Sequence, residues 1–248
     1  MRAPLQLGAD EVHVWLAWTD AVDPVADARC ATLLSAEERA RHDRFHFERD
    51  RQLYRVAHAL VRTSLSRYAP VAPAAWRFVA TPHGRPELLP GNGGVPLRFN
   101  LSHTRGLVAC VVSLAREVGV DVEAEERPGN PLDRVSDHFA PAEVAALRAL
   151  PAAAQPTRFF TLWTLKEAYI KARGLGLAIP LDRFSFEVPA SSSTPITIAF
   201  TPPIDDDPAS WHFESMQPGP RHFLACAARR RAGETLRLRV RTTTPLGD

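Results

Sequence analysis

The stretch Trp163-Thr164-Leu165-Lys166-Glu167-Ala168-Tyr169-Ile170-Lys171-Ala172-Arg173-Gly174 reads WTLKEAYIKARG and holds both lysines of the chain. The other residues among its 30 Lys and Arg are all arginines. At about 100° per residue, Leu162, Leu165, Tyr169, Ile170 and Ala172, joined by Phe159 and Trp163, form a broad apolar arc. The spacing predicts a helix over 157–173, closed by Gly174 as its C-terminal cap. A helix with so much apolar surface is expected to be wedged between other elements. Lys166 falls inside the arc. Glu167 and Lys171, four apart, lie together on the opposite side. As an ordinary helix ion pair they would be worth ~0.3–0.5 kcal/mol. Lysine can lose its proton on burial, whereas arginine effectively cannot. Two lysines in an arginine-rich chain therefore point to proton or phosphate chemistry, or to a long stem packed along a groove.

Upstream, Gly119-Val120-Asp121-Val122-Glu123 alternates cleanly. On a strand, Asp121 and Glu123 share one face and Val120 and Val122 the other. Such a strand either solvates its acidic face or places a positive charge between the carboxylates. A hard divalent cation such as magnesium suits oxygen ligands. A metal on Asp121 and Glu123 would take a third ligand and an anionic substrate. Glu167 can supply the carboxylate, and Lys171 can sit on phosphate oxygens. Glu125 and Glu126 read as solvated loop.

The chain has 248 residues, enough for one large domain or two modest lobes with a real core. A formal charge of +2 argues against a general nucleic-acid binder. Local basic clusters, between Arg39 and Arg55 and at Arg229-Arg230-Arg231, read first as solvated faces. Cys30, Cys110 and Cys226 are odd in number and lack CxxC spacing. They fit a reducing cytosol and neither a disulfide framework nor a zinc site. No signal-peptide pattern opens the chain, and the apolar run 107–115 is too short to span a bilayer. These features predict a cytoplasmic, soluble protein with no membrane partner.

Strands are expected at 12–18, 76–80, 97–101, 107–114, 118–123, 184–188, 197–201, 211–215 and 223–227. A short turn at 103–106 joins the third and fourth of these. Ser35-x-x-Glu38 is a capping-box pattern that starts a helix. A long amphipathic helix covers 51–68, ended by Pro70 and Pro73. Pro141 opens a helix to about residue 150. Loops are expected at Pro82-His83-Gly84-Arg85-Pro86, at Gly91-Asn92-Gly93-Gly94, at Arg127-Pro128-Gly129-Asn130-Pro131, at 190–195 and at 202–208. Beyond Arg241 the tail is expected to fray. Leu107-Val108-Ala109-Cys110 is echoed by Phe223-Leu224-Ala225-Cys226, and both halves run long helix, turn, strand, loop, strand. That suggests two similar α+β lobes related by duplication, with a hinge at Arg116-Glu117.

Phe99-Asn100-Leu101-Ser102-His103 ends a strand near a turn, where a hydroxyl and an imidazole can both donate to phosphate. FNLSH, then GVDVE, then WTLKEAYIK, in that order and near those spacings, resembles the 4′-phosphopantetheinyl transferase superfamily of the surfactin-synthetase-activating type. The resemblance runs from about Leu34 to Ser185. LSAEERARHDRFHF with Asp50 and Arg62 is similar to the family's N-terminal helical region. HGRP is similar to its GKP turn, and GLGLAIPLDRFSF to the segment after its last motif.

The resemblance implies a monomer of two α+β lobes with pseudo-twofold symmetry. An N-terminal lobe, 1–116, would contact coenzyme A phosphates, and a C-terminal lobe, 117–248, would carry the magnesium site and catalytic helix. The implied reaction moves the phosphopantetheine arm of coenzyme A onto a serine of an acyl or peptidyl carrier protein, with Mg2+ as cofactor. Adenosine 3′,5′-bisphosphate is released. The resemblance makes Asp121 and Glu123 magnesium ligands, and Glu167 a third ligand or the general base. It places Lys171 on the pyrophosphate, Ser102 and His103 on coenzyme A phosphates, and Arg85 on a further phosphate. Arg41 and Arg49 become partners of the 3′-phosphate. Lys166 belongs to the motif without an assigned role. A site drawing on both lobes would sit in a cleft. The rival enzyme reading is a magnesium-dependent phosphoester or pyrophosphate hydrolase. The rival from another class is an idle module that binds a nucleotide or a carrier domain.

Overall fold

The structure is a computed structural model that describes residues 4–91, 94–125, 138–191 and 193–246. The loop expected at 127–131, Glu126, Asn92, Gly93 and Ser192 lie outside the described residues. The chain is α+β and forms two compact units. One contains the chain up to Arg116 together with the segment from Leu236 onward; the other spans Glu117–Thr235.

In the first unit, β1 (Glu11–Trp18) pairs antiparallel with β5 (Leu107–Leu114), which pairs antiparallel with β4 (Leu97–Thr104). Helix α3 (Glu48–Leu65) packs Val56, Ala57, Leu60 and Val61 against Trp15, Ala17, Val108, Cys110 and Val112 of this sheet. A small hairpin, β2 (Phe78–Ala80) and β3 (Pro86–Leu88), stands between the helix and β4. Helix α2 (Ala36–His42) starts at the expected capping box. Ser35 N–H donates to Glu38 Oε2 at 2.8 Å, and Glu38 N–H donates to Ser35 Oγ at 3.2 Å. Helix α1 (Pro24–Thr32) precedes it, with Asp23 as N-cap and Pro24 in the first turn.

In the second unit the same order recurs. Strand β6 (Val118–Ala124) leads through α4 (Pro141–Arg148) to the long α5 (Gln155–Arg173). Then come the hairpin β7 (Phe184–Glu187) and β8 (Thr197–Phe200), and the antiparallel pair β9 (Trp211–Gly219) and β10 (His222–Arg229). The sheet order is β6-β10-β9. Helix α5 is buried as its apolar arc predicts: Leu165, Tyr169 and Ile170 join one core with Phe184, Phe186, Trp211, Phe213, Ala225 and Ala227. Gly174 caps it with φ +67°, its N–H donating to Ile170 O at 3.0 Å.

Three expectations are corrected. The strand expected to stop at Leu101 runs to Thr104, so Ser102 and His103 are strand residues paired with Ala109 and Val108, and the turn is confined to Arg105 and Gly106. The segment from Leu236 groups with the first unit rather than with the chain from 117 onward, and Thr242 and Thr243, expected to fray, are paired. Strand β11 (Arg237–Thr242) pairs parallel with β1 in the first unit, and Thr243 N–H donates to Leu16 O at 2.8 Å. The tetrapeptide echo is not a structural equivalence either. Cys110 faces the α3 core, whereas in the second unit Ala225 and Ala227 face the α5 core, so Cys226 between them points the other way. The repeat lies in the order of elements rather than in those four residues.

Candidate functional site

Strand β6 presents Gly119, Asp121 and Glu123 on one face, and that face lies against α5. Gly119 sets the approach. A Cβ there would stand 2.1 Å from Ala168 O and 2.4 Å from Ala172 N, both backbone atoms of the helix. Only a glycine lets strand and helix meet so closely. The two carboxylates further along the strand are thereby held against the next turns of the helix.

Lys171 lies one turn after Glu167, and its Nζ stands 2.5 Å from Asp121 Oδ1. Asp121 is buried, and Lys171 and Glu167 are half-buried. Trp163 donates its indole N–H to Glu123 Oε1 at 3.2 Å. Glu167 is held above the ordinary carboxylate range, first by burial and then by the negative charge of Asp121, with Glu123 adding to it and Lys171 opposing. Asp121, Glu123, Glu167 and Lys171 thus share one electrostatic neighbourhood.

Among the described residues, no three His, Cys, Asp or Glu side chains gather as a ready-made metal cage. The donor set at β6 and α5 is nevertheless all carboxylate oxygen, the chemistry a hard divalent cation takes. The repulsion felt by Glu167 is what such an ion would relieve.

Lys166 has a different fate from Lys171. It is fully buried. Its Nζ donates to Leu181 O at 2.9 Å and Phe184 O at 2.6 Å, and lies 2.7 Å from Glu143 Oε2. Glu143 in turn accepts from Ala140 N–H at 3.0 Å and Phe186 N–H at 2.9 Å. Burial pulls the lysine pKa down, against the opposing pull of Glu143. The motif's first lysine therefore ties α5 to the start of α4 and to β7, and it takes its place in the core.

The remaining sequence candidates lie in the first unit. Ser102 is buried and His103 exposed, as neighbours on a strand must alternate. Arg85 is buried and donates to Phe99 O at 3.3 Å, which ties it to β4. Arg41 is exposed on α2. Arg49 is exposed in the first turn of α3, its guanidinium 5.0 Å from the Phe47 ring centroid. The structure brings Asp121, Glu123, Glu167 and Lys171 together and sets Arg85 beside β4; Arg41 and Arg49 stand on separate helices. Gly119, Glu143 and the indole of Trp163 escaped the reading of the sequence. A glycine inside an alternating strand was the available signal for the first.

Two family models cover most of the chain. The 4′-phosphopantetheinyl transferase superfamily matches residues 117–227, and the 4′-phosphopantetheinyl transferase N-terminal family matches residues 20–115. The 4′-phosphopantetheinyl transferase HetI of Nostoc sp. is 37% identical over 175 residues, 70% of this chain and 73% of the relative. The chain belongs to the 4′-phosphopantetheinyl transferase superfamily. A 4′-phosphopantetheinyl transferase of Bacillus subtilis is 32% identical over 159 residues, 63% of this chain and 67% of that protein. The 4′-phosphopantetheinyl transferase Sfp of Bacillus subtilis strain 168 is 31% identical over the same length, again 67% of the relative. The likeness thus extends to the surfactin-synthetase-activating type.

Proposed function

We infer that this chain transfers the 4′-phosphopantetheine arm of coenzyme A to a serine hydroxyl of an acyl or peptidyl carrier protein. Family membership supports the reaction class. The observation that carries the assignment to residues is the carboxylate face of β6 set against Glu167 and Lys171.

A serine hydroxyl is a poor nucleophile at neutral pH and gains ~10²–10⁴-fold from a positioned base. Glu167, half-buried on α5 one turn before Lys171, is the carboxylate we assign to that task. The serine oxygen forms a bond to the phosphorus next to the pantetheine. The bond from that phosphorus to the bridging oxygen breaks, and adenosine 3′,5′-bisphosphate leaves with the electron pair. Asp121, Glu123 and Glu167 would hold magnesium, which when bound supplies positive charge to the diphosphate. Lys171 neutralises Asp121, and a bound diphosphate would offer its ammonium a second anionic partner as charge builds on the leaving oxygens. Ser102, His103, Arg85, Arg41 and Arg49 would contact coenzyme A phosphates. We further propose that it works as a cytoplasmic monomer without a nucleic-acid or membrane partner; the formal charge of +2 supports the nucleic-acid part of that reading.

The test is to incubate the protein with coenzyme A, magnesium and several unmodified carrier proteins, and to weigh the carriers. A gain of one phosphopantetheine is expected. An unchanged mass in every case, or adenosine 3′,5′-bisphosphate released without a carrier, would count against transfer. Glu167→Gln should cut transfer by about 10² or more while leaving the fold slightly more stable, because one of three like charges is gone. Near-normal transfer by that variant would remove Glu167 from the reaction.

A further inference from the structure

Trp163 is half-buried on α5, one turn before Glu167. Its ring stacks on Phe159, with centroids 6.1 Å apart and planes 11° apart. Phe139 lies at 6.4 Å, and the His138 ring meets it edge-on at 5.6 Å. These three rings pack against the indole, and its N–H points away from them. It donates to Glu123 Oε1 at 3.2 Å.

The contact joins a rigid donor to a flexible acceptor. An indole nitrogen donates and does not accept, so it selects a carboxylate oxygen rather than a cation. Glutamate has several rotatable bonds, and fixing such a side chain costs rotamer freedom. Glu123 sits on β6, in register with Phe223 of β10. A hydrogen bond from a packed ring settles its orientation before any ligand arrives.

We propose that Trp163 is a positioning residue for the transfer reaction: its indole N–H orients the Glu123 carboxylate as a ligand for the divalent ion. This rests on the reading that Glu123 holds magnesium. The stacking and the N–H are separable, because phenylalanine keeps an aromatic ring against Phe159 but has no donor. Groups that orient metal ligands typically contribute 10–100-fold to metal affinity.

The experiment titrates Mn2+ into the full chain with coenzyme A present and carrier absent, so that nothing turns over, and reads free Mn2+ by electron paramagnetic resonance. Trp163→Phe is expected to weaken Mn2+ binding by about 10-fold or more with an unchanged Tm. Wild-type affinity in the variant, whether or not Tm falls, overturns the proposal and leaves Trp163 a packing residue. A wild-type protein that binds no Mn2+ overturns the metal reading itself, and this inference with it, before any variant is compared. If the variant does not fold, wild-type protein labelled with [15N]tryptophan decides. Magnesium should then shift one of the five indole N–H resonances at the midpoint of ion binding. Five unmoved resonances overturn the proposal.

Discussion

Each unit lays one long helix across a strand, and the two strands are filled in opposite ways. Under α3, β1 presents His13, Trp15 and Ala17. Tyr68 gathers the first two, its hydroxyl 2.8 Å from His13 Nδ1 and 2.7 Å from Trp15 Nε1. Under α5, β6 presents Gly119, Asp121 and Glu123. The carboxylates associated with the two helices diverge as well. Glu38, bound to α3 through Arg62 and His58, is held far below the usual glutamate range, whereas Glu167 of α5 is held above it. A depressed carboxylate stabilises the fold. A raised one costs stability, and on our reading Glu167 keeps that cost for the transfer reaction. The same framework serves packing in one unit and a charged site in the other.

The sharpest break of this comparison is within α5, which carries both kinds of lysine. Lys166→Met should destabilise the protein by about 3–5 kcal/mol, because Glu143 is left buried without its cation. Denaturant unfolding monitored by circular dichroism measures it. Replacing Glu143 as well, in Lys166→Met/Glu143→Leu, should recover part of the loss, since a buried pair exchanged for apolar groups is often near neutral. The refolded Lys166→Met protein should still transfer. If its stability is unchanged but transfer disappears, Lys166 is a chemical residue and the division between the two lysines fails.

Gly119→Ala tests whether the close approach makes the site. The added methyl would meet helix backbone at 2.1 Å and 2.4 Å, and backbone cannot rotate aside. Helix α5 must then retreat from β6, at a cost of about 1–3 kcal/mol. The retreat should separate Lys171 from Asp121, so transfer should fall by more than the lost stability explains at temperatures where the variant is fully folded. Unchanged transfer and stability would mean that the strand–helix distance is not set by the glycine.

Much of this was legible because it is periodic. The apolar arc of α5, the capping box at Ser35, the alternation of β6 and the cap at Gly174 are local patterns, and local patterns survive in a single sequence. The motifs FNLSH, GVDVE and WTLKEAYIK, in order, also point to the family. What escaped was non-local. Nothing in RLRVRT says that β11 pairs with β1, and parallel pairing over such a separation is decided by the assembled sheet. Lys166 read as an oddity in an apolar arc because its three acceptors come from Glu143, Leu181 and Phe184, each on a different element or loop. Helix α1 was missed for another reason. Asp23-Pro24 is a local N-cap signal, but the weakly amphipathic sequence after it hid the helix.

The smallest effect concerns the packed unit. Burial alone would raise the Glu38 pKa, but the His58 hydrogen bond and charge, the Ser35 N–H and Arg62 outweigh it and take the carboxyl from 4.5 to about 2. Arg62 Nη2 donates to both of its oxygens, at 3.1 Å and 2.9 Å, and His58 Nδ1 lies 3.0 Å from Oε1. Because the folded pKa is the lower one, the stabilisation is complete above the unfolded value of 4.5 and is lost as pH falls through about 2. With discount for partial exposure, about 1–2 kcal/mol is expected near neutrality. Glu38→Gln should therefore lower stability at pH 7 and flatten the acid limb of the stability curve, while transfer at pH 7 stays near normal at temperatures where the variant is folded. If the variant instead loses transfer and keeps its stability, the carboxylate of the packed unit is also a chemical one, and the contrast between the two helices fails on the side where it looked safest.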